Sequence, residues 1–192
     1  MIIGVAAALV GGGCVSVRQT DPARTATEQL LLSTAADRAA EEMDLAQFAH
    51  KKVFLDAAYF DSYDQKYAVG TIRDALSRAG ALLQADSKSS EITIEPRSGA
   101  LATDDRTLLV GLPALALPIP LTGTVTTPEI AFYKSSKQFS TAKIVLLAYA
   151  TGSREHIYSS GDMVGRAHDN YFHIFFVPLH KTDVPEMEKK KK

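Results

Sequence analysis

One cysteine, Cys14, is all the thiol chemistry in this 192-residue chain, and it ends an uncharged, mostly aliphatic run over residues 1–10 followed by three glycines. A lone thiol can neither close an intramolecular disulfide nor build a Cys-based structural zinc site, so burial and backbone pairing alone must hold the fold. The composition suits that: 46% of residues are hydrophobic and 22% charged, close to the globular average. The length fits one domain on a prior of roughly 150 residues per domain. Lys and Arg number 21 against 22 Asp and Glu, a net charge of -1. No overall positive field exists to gather nucleic acid, and a dedicated DNA or RNA binder is disfavoured.

A ten-residue helix rises about 15 Å, half of a hydrocarbon core of about 30 Å. Residues 1–10 are therefore too short for an ordinary spanning helix and suit a leader with a small-residue cleavage site. Leu9-Val10-Gly11-Gly12-Gly13-Cys14 resembles the lipobox of bacterial lipoproteins. The resemblance implies a signal peptide over residues 1–13, a diacylglycerol on the Cys14 thiol, acylation of the new amino group, and a polar linker over residues 14–26. Each buried methylene of such chains contributes about 0.8 kcal/mol, so the bilayer is the first expected partner. Val15 is not the aspartate that retains many lipoproteins of enteric bacteria in the inner membrane, which favours an outer-membrane anchor facing the periplasm. The same residues also read as a buried first strand of a cytoplasmic protein, with Cys14 a small core hydrophobe.

Beyond the linker, Leu32, Ala35, Ala36, Ala39, Met43 and Ala46 recur at helical steps, with Thr25 or Thr27 as cap. Residues 52–59 read as a strand, and Ala68, Ile72, Ala75, Leu76 and Ala79 as a second helix capped by Asp61 or Ser62 and ended by Gly80. Residues 81–85 and 91–95 follow as strands. A polar turn through Thr103, Asp104 and Asp105 precedes another strand over residues 107–110. Residues 111–123 carry three prolines among aliphatic residues and predict an extended apolar loop. Strands are expected over residues 129–134, 143–150 and 156–160, the last two joined by the turn Thr151-Gly152-Ser153. The sum is an α/β (α+β) single domain over residues 27–180: two N-terminal helices packed on a mixed, largely antiparallel sheet, then a charged tail over residues 181–192. This order over residues 53–161 resembles the α/β domains of periplasmic assembly lipoproteins of the curli-secretion and TolB amino-terminal kind. Lys52-Val53-Phe54-Leu55-Asp56, Gly111-Leu112-Pro113, Thr127-Pro128-Glu129-Ile130 and Thr182-Asp183-Val184-Pro185-Glu186 resemble a family of uncharacterised bacterial lipoproteins.

Catalytic signatures are sparse. No His-Glu-x-x-His, Gly-x-Ser-x-Gly or phosphate loop occurs. His168 and His173 are five apart, a spacing that suits neither one helical face nor one strand face. Asp56, Asp61 and Asp64 cluster after the first strand, where α/β proteins often place ligand groups, and with a histidine they would make a metal-assisted envelope enzyme. Capping and outward-facing strand positions account for the same aspartates more simply. The leading expectation is a non-enzymatic interaction or envelope-assembly module that needs no cofactor or metal. Its contact surface would be Leu112, Leu115, Leu117 and Ile119 in the proline-bearing segment, with Tyr171, Phe172, Phe175 and Phe176. Such side chains, if exposed, form more apolar surface than a soluble monomer normally leaves uncovered, and would meet other envelope proteins or lipid headgroups.

Overall fold

The computed structural model describes residues 24–119, 123–175 and 177–188. Cys14 and the leader and linker expected around it lie outside the described residues. Helix α1 spans Ala26–Glu41. Thr25 begins it through a capping box: its hydroxyl accepts from the Glu28 N–H at 3.2 Å, and its own N–H donates to the Glu28 carboxylate at 2.7 Å. Two orphan donors of the first turn are thereby satisfied. The buried face of α1 is Leu31, Leu32, Ala35, Ala36, Ala39 and Ala40.

Strand β1 (Lys52–Leu55), helix α2 (Gln65–Arg78) and strand β2 (Leu82–Leu83) form a crossover unit, with β1 and β2 parallel. The expected cap at Asp61 or Ser62 falls elsewhere: Asp64 occupies the N-cap, without a side-chain cap bond, and its carboxylate is paired with Arg24. The other end follows expectation. Gly80 takes φ +87°, its N–H reaches Ser77 O at 3.0 Å, and the Ala81 N–H reaches Leu76 O at 3.0 Å. That pair of bonds closes the helix in a left-handed turn, which glycine adopts without a Cβ penalty.

The remaining strands are β3 (Ile92–Leu112), β4 (Ala116–Ile119), β5 (Gly123–Thr126), β6 (Ile130–Ala150), β7 (His156–Ser159), β8 (Met163–Ile174) and β9 (Val177–Thr182), and α3 is a turn over Pro185–Glu188. The main sheet runs β2-β1-β3-β6-β8-β9, with β7 also paired to β6, while β4 and β5 form a separate two-stranded ribbon. Only the β1 pairings are parallel; β3, β6, β8 and β9 are antiparallel neighbours. Mixed α/β with a mostly antiparallel sheet is thus the architecture, and it is mostly strand.

Several expectations are corrected. Two helices do not share the sheet: α1 lies against β6 and β8, whereas α2 packs beside α1 and on β2. An alanine-faced helix can approach a sheet closely, and here it does. A Cβ on Gly165 of β8 would stand 1.9 Å from Ala35 O and 2.5 Å from Ala39 N, so the contact requires glycine. Next, no turn interrupts residues 103–105, and no break separates 129–134 from 143–150. β3 and β6 are single 21-residue strands paired along nearly their whole length. At about 3.4 Å per residue each extends about 70 Å, far longer than the common five- or six-residue strand. The proline-bearing segment is not wholly loop either, since Pro118 sits within β4 opposite Thr124. Pro is tolerated there because the ribbon is two-stranded and both strands are edges. Finally, the charged tail does not begin at residue 181. β9 continues to Thr182, and Val184 is fully buried.

The core is gathered at one end. Phe48, Val53, Phe60, Ile72, Leu76 and Ile94 pack with Ile144, Leu146 and the α1 alanines. Residues of β3 are buried or half-buried only up to about Thr103, and the rest of that strand is almost entirely exposed. The distal lengths of β3, β6 and β8, with β9 and the ribbon, therefore form an arm reaching beyond the helices.

Candidate functional site

Register decides which side chains share a face of this arm. Successive residues of a strand point to opposite sides, and residues paired across strands lie on the same side. On the face opposite α1, Val110 pairs with Tyr133, Tyr133 with Ile174, and Ile174 with Val177. One step back toward the core, Leu108 pairs with Ser135, Ser135 with Phe172, and Phe172 with Leu179. These two rows carry no charge. The next row is Arg106, Lys137, Asn170 and Lys181, again in continuous register. Among the described residues none of its three cations is in an ion pair. Arg106 lies 4.9 Å over the Phe139 ring and Lys137 5.8 Å from the centre of Phe172. The first acid on this face, Asp104, stands one row further back, opposite Phe139.

Of the expected contact residues, Leu112, Leu115, Leu117, Tyr171 and Phe175 are exposed, Leu112 at 63% and Phe175 at 62%. Phe172 is half-buried. The Ile119 side chain and Phe176 lie outside the described residues. The two segments, some sixty residues apart in sequence, are brought to the same end of the arm by the β3–β6–β8 pairing. Sequence reasoning missed Leu108, Val110, Val125, Ile130, Phe132, Ile174, Val177 and Leu179, all exposed there. The alternation of Leu108 and Val110 with Thr107 and Leu109 was the available signal, hidden because an exposed apolar strand reads as a buried one.

The α1-side face of the arm differs. A cleft of about 520 Å³ is lined by Phe132, Lys134, Ser136, Tyr171, His173 and Phe175 among others. Lys134 pairs with Glu129 at 2.9 Å at its rim. Behind it Tyr171 stacks on His180 with ring centres 4.1 Å apart, and His180 Nε2 lies 2.5 Å from Asp169 Oδ1. Burial, with the Asp169 carboxylate nearby, raises the Tyr171 phenol above its ordinary pKa, so this ring stays neutral. Nearer the core, Arg38 of α1 donates to Asp183 Oδ2 at 2.7 Å and to the Asp183 carbonyl at 2.7 Å. His168 adds its backbone N–H to Asp183 Oδ1 at 2.7 Å and its Nδ1 at 2.9 Å from Oδ2. Burial opposes ionisation of Asp183, but those donors and the Arg38 charge outweigh it and hold the carboxyl below its usual range. This cluster ties α1 to the end of β9.

The aspartates after β1 are not brought to a histidine. Asp56 accepts from the Ala58 N–H at 3.1 Å, and the small polar recess beside it is lined by Phe54, Tyr59, Glu95, Tyr149 and Arg154 among others, with no histidine. Tyr149 donates to Glu95 at 2.6 Å and accepts from Arg154 at 3.0 Å. Asp61 is exposed. Among the described residues no three His, Cys, Asp or Glu side chains gather as a metal ion would need.

A protein-family comparison matches residues 8–186, taking in the helices, the sheet and the whole arm. The chain belongs to the family of unknown function DUF6655. No curated protein matches it. Membership in DUF6655 assigns no chemistry, so the arm has to be read from its own residues. No helix among the described residues is long and apolar enough to cross a membrane.

Proposed function

We propose that this chain is a lipid-anchored protein of the bacterial envelope, acylated at Cys14, most consistent with an outer-membrane position facing the periplasm. It works as a non-enzymatic interaction or assembly module through the far end of the β3–β6 arm. One observation carries the second half of this reading: among the described residues, the exposed apolar side chains are concentrated on the part of the sheet that neither α1 nor α2 covers. Monomeric proteins rarely leave so much contiguous apolar surface in water, and a covering partner removes the cost. The anchor rests on the residues around Cys14, which fall inside the span shared with the family.

Two measurements test it. Intact mass and membrane partition are compared for the wild type and Cys14→Ser in a host that processes lipoproteins; the wild type should have lost residues 1–13 and gained its acyl chains, a mass change that Cys14→Ser lacks, and should leave the soluble fraction only when Cys14 is present. Equal masses and equal solubility defeat the anchor. For the arm, a thiol is placed by Leu117→Cys, or on helix α2 by Asp74→Cys, in the acylated chain. The Leu117→Cys thiol should react with a maleimide freely after purification and slowly in intact envelopes, while the Asp74→Cys thiol reacts equally in both. Equal reactivity at Leu117→Cys in both settings defeats the contact surface.

A further inference from the structure

We infer that the far end of the arm docks on an anionic lipid surface, with the Arg106, Lys137 and Lys181 row as its phosphate-facing band. This deepens the reading of the arm as a contact surface and rests on it. The order of chemistry along the strands is what selects lipid. From the tip inward come two uncharged apolar rows, typified by Val110, Ile174 and Val177, and then one row bearing three cations and no acid. Two residues of strand separate adjacent rows, about 7 Å. A bilayer presents the same order in depth: acyl boundary nearest the protein's tip and headgroup phosphates outside it, and interfacial apolar side chains sink about 5–10 Å into that boundary.

The cations are placed to face such a layer. None of the three is neutralised by an ion pair among the described residues, and Arg106 and Lys137 are held in the band by the Phe139 and Phe172 rings. Long cationic stems over apolar rings, with charged heads at the polar level, are the arrangement found where side chains meet a membrane interface. Between the cation row and the apolar rows lies a recess of about 320 Å³, lined by Arg106, Leu108, Tyr133, Ser135, Lys137 and Phe139. Ser135 is 2% exposed and its hydroxyl has no hydrogen-bond partner among the described residues. A buried hydroxyl normally finds one. A headgroup phosphate oxygen entering between Arg106 and Lys137 would provide an acceptor for it together with two charge-assisted bonds.

The test uses the full chain carrying Cys14→Ser, so that no acyl anchor contributes. Sedimentation with vesicles of phosphatidylcholine mixed with phosphatidylglycerol should recover the protein, and vesicles of phosphatidylcholine alone should recover much less. Lys137→Ala with Lys181→Ala should weaken binding to the anionic vesicles about 30-fold, from the usual contribution of a cation near such a surface. Val110→Asp with Ile174→Asp should weaken it about tenfold or more. Both pairs are at exposed positions, and an unchanged thermal transition verifies that the fold survives. As an independent readout, Val177→Trp supplies the chain's only tryptophan, whose emission should shift to the blue on the anionic vesicles. Absence of binding by the folded chain, or binding indifferent to both double variants, overturns the inference. Binding of inorganic phosphate without vesicle binding assigns the recess to a free anion and also overturns it. Should the Leu117→Cys thiol be shielded in envelopes while the purified chain ignores vesicles, the arm keeps its role, its partner is a protein, and only the lipid assignment falls.

Discussion

The same two strands behave as two different materials along their length. Near Ile94 and Leu146, β3 and β6 are covered by α1 and by the β1–α2 unit, and their inward side chains are fully buried. Near Val110 and Ile130 they carry comparable apolar side chains, and among the described residues nothing is laid over them. Hydrophobicity alone therefore does not place a residue in the core; what matters is whether another element is available to cover it. The helices serve the first half of the ladder and stop. Stability should accordingly live in one half and recognition in the other, and substitutions can break or sharpen that division.

The largest effect is expected in the covered half. Phe48 is fully buried and meets Tyr158 edge-on with ring centres 5.7 Å apart. Phe48→Ala should cost about 3–5 kcal/mol in chemical denaturation, as large core deletions do. Gly165→Ala follows, at about 2–3 kcal/mol, because the new methyl group must push α1 off the sheet. A cost as large for Phe175→Ala at the tip would erase the distinction between the halves; under about 0.5 kcal/mol is expected there, as for other exposed positions.

The Asp183 cluster stands between these extremes, since it fastens α1 to β9 with partly exposed groups. Its carboxyl is held below the usual range when folded. The stabilisation it contributes is therefore complete above the unfolded value of about 3.9 and is lost as pH falls through the lower folded value. Asp183→Asn should cost about 1 kcal/mol at neutral pH, a size limited by solvent screening, and thermal melts of the two proteins should converge in acid. A gap that persists unchanged at low pH would mean the side chain acts through shape and not charge. Smallest among the covered-half changes, Thr25→Ala removes the α1 cap at about 1 kcal/mol or less, read from the same melts.

The covered half was largely legible in the sequence. The alanine and leucine steps of α1, the α2 stripe and the stop at Gly80 are local signals, set within one or two turns of chain. The arm was not. Thr103-Asp104-Asp105 has the composition of a turn, yet in a strand exposed on both faces polar residues are no anomaly, and so no turn is needed. Pro118 argued for loop, and the two-stranded ribbon removes the objection there, while Pro113 does lie in the connection between β3 and β4. The cation row is the clearest case. Arg106, Lys137 and Lys181 are scattered over 76 positions of sequence, and only the register of four strands sets them side by side. Side-chain type was visible; adjacency was a property of pairing.

One consequence of the long β3–β6 ladder, continuous but for register shifts at Ser98/Ala100 and Val110/Gly111, concerns distance. From Ala102, where cover by the helices ends, to Leu112 is ten steps of strand, about 35 Å. No loop or hinge interrupts β6 over that interval. Whatever the tip rests against is thus held at a set height from the helical layer, and the arm serves as a spacer whose reach is written in residue number.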